Sequence, residues 1–383
     1  MILCLPLAAQ EALVSSGFEH FYNLEYDEAI ADFSQAAAQY PALPGVYNHL
    51  AQAILYRAMF RAGALESELV TGNNPFLRRP KVEATPEEDQ RFHQAVGKSM
   101  ELCQARLKQN SRDTAALYAL GVAHAWRGNY SFLVRKAWRD ALRDATTARK
   151  LHNRVTELDA SVIDARLMQG LHDYVVGSLP LVWKLLGFLI GFRGDREQGV
   201  RTLELVAQKG VVNREDARIL LCAIYRREKR LQQTVPLLQD LIRRFPRNYL
   251  LYLELSQMHS ELGDKTKALE ALERLKTLKE SGSPGFARLT WERLWYAEGN
   301  IQFWYQDWDA ALENMKRATA GAERLDLNTG VLAWLRLGQL HDLKGQRQPA
   351  LAAYRRAIAF APSSDAAAES KRYLSSPYRW PKR

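Results

Sequence analysis

The sequence has few of the residues that define disulfide-rich, metal-binding and fibrous proteins. Three cysteines among 383 residues are too few and too scattered for a disulfide framework or a Cys-x-x-Cys metal site. Twenty-two glycines and 14 prolines are too few for a collagen-like or low-complexity chain. No apolar run reaches the ~18–20 residues that a membrane-spanning helix needs. These absences leave a globular protein without a transmembrane segment as the expectation.

Signatures of catalysis and of metal binding are also missing. The eight histidines show no His-Glu-x-x-His, His-x-His or Cys–His spacing. The chain contains no Gly-x-Ser-x-Gly motif and no pair of carboxylates with a convincing catalytic partner. The sequence therefore predicts a protein that has no metal ion or cofactor and is not an enzyme.

A repeated pattern of small and aromatic residues runs along the chain. Hydrophobic residues make up 47% of the sequence and charged residues 25%, which is sufficient for a large core. We number positions from the start of each repeated unit, which is expected to form a pair of helices. Positions 8 and 20 must be small residues, because the backbones of the two helices approach each other there, and a proline at position 32 ends the second helix. In the unit that starts at Val331, positions 4, 7, 8, 11, 15, 20, 24, 27 and 32 are Trp334, Leu337, Gly338, His341, Gly345, Ala350, Tyr354, Ala357 and Pro362.

The same pattern starts at residues 10, 114, 180, 215, 249 and 292. It resembles the tetratricopeptide repeat, a helical hairpin of about 34 residues. The resemblance implies an all-α tetratricopeptide repeat α-solenoid, a right-handed superhelix of roughly nine to eleven antiparallel helix pairs. Degenerate repeats are expected to fill 44–113 and 147–179.

The array is predicted to form a single domain over 10–364. A proline- and asparagine-containing stretch at about 66–86 is expected to be an inserted loop. The sequence Thr85-Pro86-Glu87-Glu88 predicts that the next helix begins with a capping box. Residues 365–383 are expected to form a helix end and a basic tail. Residues 1–9 are either the remnant of a signal peptide, which predicts an exported or periplasmic protein, or an apolar cap on the first helix of a cytoplasmic one.

The segment 178–203 carries a more specific resemblance. It reads SLPLVWKLLGFLIGFRGDREQGVRTL, and the matching residues are Gly191, Phe192, Gly194, Asp195, Arg196, Glu197 and Gly199. This segment is similar to a signature of the eukaryotic tetratricopeptide family that includes the inclusion body clearance protein and the tetratricopeptide repeat protein 39 group. The resemblance implies a non-enzymatic scaffold in a family linked to lipid droplets and aggregate handling. The plain alternative is a tight turn at the first two glycines, followed by a helix that Asp195 opens.

The first helices of the repeats present a face that suits a protein partner. In a tetratricopeptide repeat, positions 2, 5, 9, 12 and 13 of the first helix usually line a concave groove. Here aromatics alternate with arginines, which favours a scaffold for an extended peptide with acidic or C-terminal carboxylate groups. The alternative is that the aromatics only fill gaps between helices. The predicted groove residues are Tyr118, Trp126, Arg226, Arg227, Gln257, Arg293, Tyr296, Asn300, Phe303, Trp304 and Gln339.

Charge is distributed unevenly along the chain. The formal net charge is +10, yet residues 1–50 contain six acidic residues and no lysine or arginine. Residues 126–154 contain eight arginines and lysines against two aspartates. As an alternative function, this basic face predicts a peripheral adaptor on an anionic lipid surface or on nucleic acid. Solvated arginines on helix surfaces are the plain explanation.

Overall fold

The computed structural model describes residues 4–65, 81–178 and 194–381, with side chains from residue 11 onward. Within these ranges the chain forms seventeen α-helices, two short 3-10 helices (Ile163–Ala165 and Ala322–Arg324) and no β-strand. The α-helices are α1 (Cys4–Tyr22), α2 (Tyr26–Gln39), α3 (Pro44–Arg61), α4 (Pro86–Gln109), α5 (Thr114–Leu133), α6 (Trp138–Leu158), α7 (Arg166–Gly177), α8 (Arg196–Lys209), α9 (Arg214–Arg227), α10 (Leu231–Arg244), α11 (Tyr249–Glu261), α12 (Lys265–Glu280), α13 (Trp291–Trp304), α14 (Trp308–Ala320), α15 (Leu327–Leu343), α16 (Arg347–Phe360) and α17 (Asp365–Ser375).

The chain divides into two compact units. Unit 1 comprises Met1–Met59 and Ser67–Arg230, and unit 2 comprises Phe60–Glu66 and Leu231–Arg383. In both units, helices that follow each other in sequence pack against each other as pairs. This serial packing confirms the predicted fold class, an all-α solenoid of the tetratricopeptide type. The single domain expected over 10–364 stays a prediction.

Small residues make close helix contacts at the positions that the repeat pattern requires. At Gly338 of α15, a Cβ atom would lie 2.4 Å from the ring of Tyr354 in α16, so only glycine fits there. The alanines at position 20 of four repeats are fully buried, which confirms the predicted role of that position: Ala29, Ala268, Ala311 and Ala350.

Helix α4 begins with the predicted capping box. The Oγ1 atom of Thr85 accepts a hydrogen bond of 3.2 Å from the backbone N–H of Glu88, and the Thr85 N–H donates one of 2.8 Å to Glu88 Oε2. Pro86 occupies the first helical position. Most of the loop expected before this helix, at 66–80, lies outside the described residues.

Helix α8 packs closely against α7. The repeat pattern placed the helix that pairs with α8 after Pro180, and residues 179–193 lie outside the described residues. A Cβ atom on Gly199 would lie 2.4 Å from the backbone nitrogen of Tyr174 and 2.7 Å from the carbonyl oxygen of Gly170. The two glycines bring the helix backbones together, so α7 is the partner of α8. As expected, Asp195 caps α8 by accepting a 2.9 Å hydrogen bond from the Gln198 N–H.

The repeat that starts at residue 114 departs from the pattern after Gly128. Helix α5 continues through this glycine to Leu133. In the extra turn, the Tyr130 ring stacks on Phe92 with 4.2 Å between centroids, and its hydroxyl donates a 2.7 Å hydrogen bond to Asp89. Packing against α4 therefore extends α5 beyond the length that the repeat pattern predicts.

Candidate partner-binding face

In unit 2, the guanidinium of Arg336 packs over two aromatic rings. Its central carbon lies 4.2 Å from the ring centroid of Phe303 and 4.6 Å from that of Trp304. Its Nε donates a 3.0 Å hydrogen bond to Asn300 Oδ1, and its Nη1 donates one of 2.6 Å to Gln339 Oε1. Cation–π contacts and hydrogen bonds thus hold one arginine in one orientation. We call these five residues the aromatic face.

Two neighbouring helices supply the aromatic face. Helix α13 carries Asn300, Phe303 and Trp304, helix α15 carries Arg336 and Gln339, and the two helices pack against each other. Phe303 and Gln339 are buried, whereas the side chain of Trp304 is 52% exposed. The sequence predicted four of the five residues as groove residues, and the structure brings these four together.

The segment 376–381 follows α17 and lies against the aromatic face. The Trp380 ring centroid is 5.3 Å from that of Phe303 and 5.9 Å from that of Trp304. The backbone N–H of Tyr378 donates a 2.8 Å hydrogen bond to Oδ2 of Asp342. Tyr378 is buried, Arg379 is exposed and Trp380 is half-buried. The segment therefore alternates inward and outward side chains, as an extended strand of chain does.

Two other predicted groove residues of unit 2, Arg293 and Tyr296, make contacts inside that unit. Arg293 is buried, and its Nη1 donates a 3.1 Å hydrogen bond to Asp326 while its guanidinium lies over the Tyr296 ring at 5.9 Å. Tyr296 is buried in the core, and Gln257 of α11 is half-buried. The structure does not place these three in the aromatic face, and their role in partner binding stays a prediction.

Two predicted groove residues of unit 1, Tyr118 and Trp126, also have contacts within their own unit. Tyr118 stacks on His152 with 5.2 Å between ring centroids, and its hydroxyl accepts a 2.9 Å hydrogen bond from Asn213. Trp126 meets Tyr56 edge-to-face at 6.0 Å. Two arginines lie near the end of α9, one buried and one half-buried: Arg226 and Arg227. Their partner-binding role likewise stays a prediction.

A carboxylic acid of α9 contacts α1 within unit 1. The hydroxyl of Tyr22 donates a 3.0 Å hydrogen bond to Asp216 Oδ1. Burial raises the pKa of Asp216 to about 6, and the nearby carboxylates of Glu215 and Asp164 act in the same direction. The hydrogen bond from Tyr22 opposes this shift, because it stabilises the ionised form.

Helix α6 presents exposed apolar side chains among the basic residues of the 126–154 face. Trp138 is 58% exposed and Leu142 is exposed. The guanidinium of Arg139 lies 5.2 Å from the Trp138 ring centroid. The basic residues of the face that are exposed are Arg135, Lys136, Arg139, Arg143, Lys150 and Arg154. This combination of an exposed indole and cations was not visible in the charge count alone.

Part of the basic face has a structural role. Arg127 donates two hydrogen bonds, of 2.8 and 2.7 Å, to the two carboxylate oxygens of Asp144. The Asp144 side chain is buried, and the hydrogen bonds from Arg127 and His124 lower its pKa against the opposing effect of burial. Arg127 is therefore committed to an ion pair between α5 and α6.

The histidines raise the question of metal binding, and two of them have a lowered pKa. Burial lowers the pKa of His49 and of His152 to about 4, so both are neutral at neutral pH. Among the described residues, no group of three or more His, Cys, Asp and Glu side chains has a metal-binding arrangement. No described helix is long and apolar enough to cross a membrane. The expected lack of a metal, a cofactor and catalytic activity stays a prediction.

Comparison with known families finds a match in two hairpins of unit 2. Residues 249–281 and 331–364 match the tetratricopeptide repeat model, and these segments correspond to α11–α12 and to most of α15–α16. The chain carries tetratricopeptide repeats. Comparison with curated proteins finds no match. The narrower resemblance of the 178–203 segment has no counterpart in these comparisons and stays a prediction.

Several solved tetratricopeptide and other helical structures are similar to the chain over most of its length. Yeast Tom70 is 12% identical, with 96% of this chain and 95% of that chain covered and a TM-score of 0.42. A tetratricopeptide repeat protein from Parabacteroides merdae is 12% identical, with 82% and 93% covered and a TM-score of 0.32. YrrB, described as having an unusual peptide-binding site, is 13% identical, with 71% and 99% covered and a TM-score of 0.32. Identities at this level identify no function.

Sequence reasoning missed three residues around the aromatic face. Arg336 was not among the predicted groove residues, and Tyr378 and Trp380 were counted only as part of a basic tail. The available signal was the sequence Pro377-Tyr378-Arg379-Trp380-Pro381, in which two aromatics two residues apart share one side of an extended chain.

Proposed function

We propose that this protein is a non-catalytic tetratricopeptide scaffold that binds a protein partner through the aromatic face of unit 2. The observation that carries the proposal is the half-exposed indole of Trp304, over which Arg336 is held by cation–π contact and by Asn300 and Gln339. Tryptophan and arginine contribute most often to binding energy in protein interfaces. Because the arginine is already oriented, little of its side-chain entropy remains to be lost on binding.

The chemistry of the face favours an extended segment with aromatic and acidic side chains. An aromatic side chain stacks on the exposed Trp304 ring. A carboxylate near the Arg336 guanidinium adds electrostatic attraction, which also steers the encounter. This agrees with the sequence-based expectation of an acidic peptide.

A displayed library of random peptides tests the proposal with the full chain as bait. Selected peptides are measured by fluorescence anisotropy against the wild-type chain and against Trp304→Ala. We expect Trp304→Ala to weaken binding by about 30-fold, as loss of about 2 kcal/mol at an interface hot spot requires. The matched control is Trp138→Ala, since Trp138 is an equally exposed tryptophan in unit 1. Peptides that bind Trp304→Ala as tightly as the wild type overturn the proposed site.

A second candidate function is attachment to an anionic lipid surface through α6. It is favoured by the exposed Trp138 and Leu142 among the exposed arginines, because tryptophan and cations are the usual anchors at a membrane interface. Fewer basic residues contribute than the sequence suggested, since Arg127 is paired with Asp144.

Vesicle co-sedimentation separates the two candidates. With phosphatidylserine-containing vesicles, this second function predicts binding that falls steeply between about 50 mM and about 500 mM salt. Trp138→Ala should weaken vesicle binding, and Trp304→Ala should leave vesicle binding unchanged. The two variants thus have the opposite roles to those in the peptide experiment. Equal binding to neutral phosphatidylcholine vesicles argues against this function.

We further propose export of the chain, as the apolar sequence Ile2-Leu3-Cys4-Leu5-Pro6-Leu7-Ala8-Ala9 supports. The alternative is a cytoplasmic protein in which these residues cap the first helix. Fractionation of the native host, with the intact chain and a chain that lacks residues 1–9, distinguishes them: export predicts that only the intact chain leaves the cytoplasm.

A further inference from the structure

We propose that the segment 376–381 is an internal ligand of the aromatic face, which a partner displaces with an extended segment carrying two aromatic side chains two residues apart. The proposal rests on the proposed function of this face, since it specifies which partner fits there. It follows from the ring contacts of Tyr378 and Trp380, from the hydrogen bonds that do not involve them, and from an unsatisfied indole N–H on Trp308, whose ring Trp380 contacts.

The segment binds with alternate side chains. The Tyr378 ring centroid lies 6.2 Å from that of Phe303 and 5.3 Å from that of Tyr373. Trp380 contacts Phe303, Trp304 and also Trp308, whose ring centroid is 6.2 Å away. Proline on each side of this pair, at positions 377 and 381, restricts the chain to extended conformations and lowers the entropy lost on docking. The geometry is that of a bound linear peptide.

The helices beneath the segment are also joined by hydrogen bonds that do not involve it. Asp342, which accepts the hydrogen bond from the Tyr378 N–H, also accepts hydrogen bonds of 2.9 Å from Arg347 Nη1 and 2.8 Å from the Tyr354 hydroxyl. The Nη2 atom of Arg347 donates to the carbonyl oxygens of Tyr373 and Leu374 at the end of α17. Departure of the segment therefore leaves Asp342 paired and α17 attached.

One ring next to the segment has an unsatisfied hydrogen-bond donor. The indole Nε1 of Trp308 is buried and has no hydrogen-bond partner among the described residues. A buried N–H without an acceptor is costly, and such groups are rare in folded proteins. A partner that brings a carbonyl or carboxylate oxygen to this N–H gains a hydrogen bond that the internal segment lacks. This difference favours exchange of the segment for a partner.

A peptide of residues 375–381, labelled with fluorescein, is the probe. Its affinity for the full chain is measured by anisotropy for the wild type, Trp380→Ala and the double variant Tyr378→Ala/Trp380→Ala. In the wild type the attached segment competes at an effective concentration of about a millimolar. We therefore expect the double variant to bind the probe at least about tenfold more tightly than the wild type. Trp380→Ala, which changes only a half-buried side chain, should give a smaller gain.

Two controls separate release of the segment from damage to the fold. Arg379→Ala changes the exposed residue between the two aromatics, so probe binding should match the wild type. Adding Trp304→Ala to the double variant should abolish the gain, since it removes the surface on which the probe docks. Circular dichroism shows whether each variant is folded. If the double variant is not folded, probe binding to the single variant Trp380→Ala is the test.

The outcomes separate this proposal from the proposed function. A folded double variant that binds the probe no more tightly than the wild type overturns the internal-ligand proposal. Library peptides that bind wild type and double variant equally well overturn it too, while leaving the scaffold function intact. Tight binding of the probe to the double variant, without competition from any library peptide, supports the internal ligand and contradicts the scaffold function.

Discussion

The hydroxyl of Tyr22 in α1 donates a hydrogen bond to Asp216 in α9, across a sequence separation of 194 residues. The Tyr22 side chain is buried, and the carboxylates of Glu215 and Asp164 face the same acid. A hydrogen bond thus joins the first and last described helices of unit 1 at an acid whose pKa burial raises to about 6. The stability of this unit must depend on the protonation state of that acid.

Asp216→Asn should stabilise unit 1 at neutral pH. Burial raises the pKa of Asp216 in the folded chain to about 6, above the ordinary aspartate value of 3.8. Ionisation therefore costs folding free energy at pH 7, by at most about 3 kcal/mol, and the cost disappears as the pH falls through 6 toward 4. Urea unfolding from about pH 4 to pH 8 should show the variant more stable than wild type at the upper end and equal at the lower end. A difference independent of pH contradicts this assignment.

Removal of the Thr85 cap should weaken α4. Thr85→Ala removes the hydroxyl that accepts from the Glu88 N–H, and the expected loss is about 1 kcal/mol of unfolding free energy. Thr85→Ser, which keeps a hydroxyl, is the matched control and should lose far less. The measurement is urea unfolding followed by circular dichroism. Equal losses in the two variants indicate that the methyl group, not the cap, matters.

Gly199→Ala should separate α7 from α8. Its Cβ would lie 2.4 Å from the backbone nitrogen of Tyr174, and backbone cannot move aside as a flexible side chain does. We expect a loss on the order of 2 kcal/mol or more. Gly97 of α4 is the control, because a Cβ there has no neighbour within 4 Å, and Gly97→Ala should stabilise the helix by roughly 0.5–1 kcal/mol. Thermal unfolding of both variants provides the comparison. A change of stability in the same direction for both variants refutes the prediction.

Asp342→Ala should destabilise the end of unit 2. The Asp342 side chain is 1% exposed and pairs with Arg347, so its removal leaves a partly buried guanidinium and the Tyr354 hydroxyl without their acceptor. The expected loss is about 3–5 kcal/mol. Asp309 also forms an ion pair, with Lys344, but its side chain is 89% exposed, and Asp309→Ala should change stability by no more than about 0.5 kcal/mol. Similar effects in the two variants, measured by urea unfolding, contradict the role of burial.

Periodic features of the fold were predictable from the sequence, because a helical hairpin constrains the same positions in every repeat. Gly338 and Ala350 occupy positions where two backbones meet, and a short local pattern specified the cap at Thr85. The α7–α8 pair was not predicted, since Gly170 and Gly199 are separated by a long intervening sequence that breaks the period.

The candidate site was predictable only in part. The repeat pattern predicted Trp304 and Phe303 as groove residues, because fixed positions of the first helix of a repeat face the groove. The contribution of Arg336 depends on the lateral approach of α13 and α15, and that of Trp380 depends on a fold-back held by Asp342. Neither contact follows from a repeat period, so the sequence alone could not predict either one.

Coverage of Phe303 and Trp304 by Trp380 also has a kinetic consequence. A molecule that needs the uncovered rings has to wait until the covering chain departs, so its observed association rate should rise with concentration and then level off. The plateau equals the departure rate of the covering chain, a property of this protein alone. Stopped-flow traces for chemically unrelated binders should therefore converge on one limiting rate.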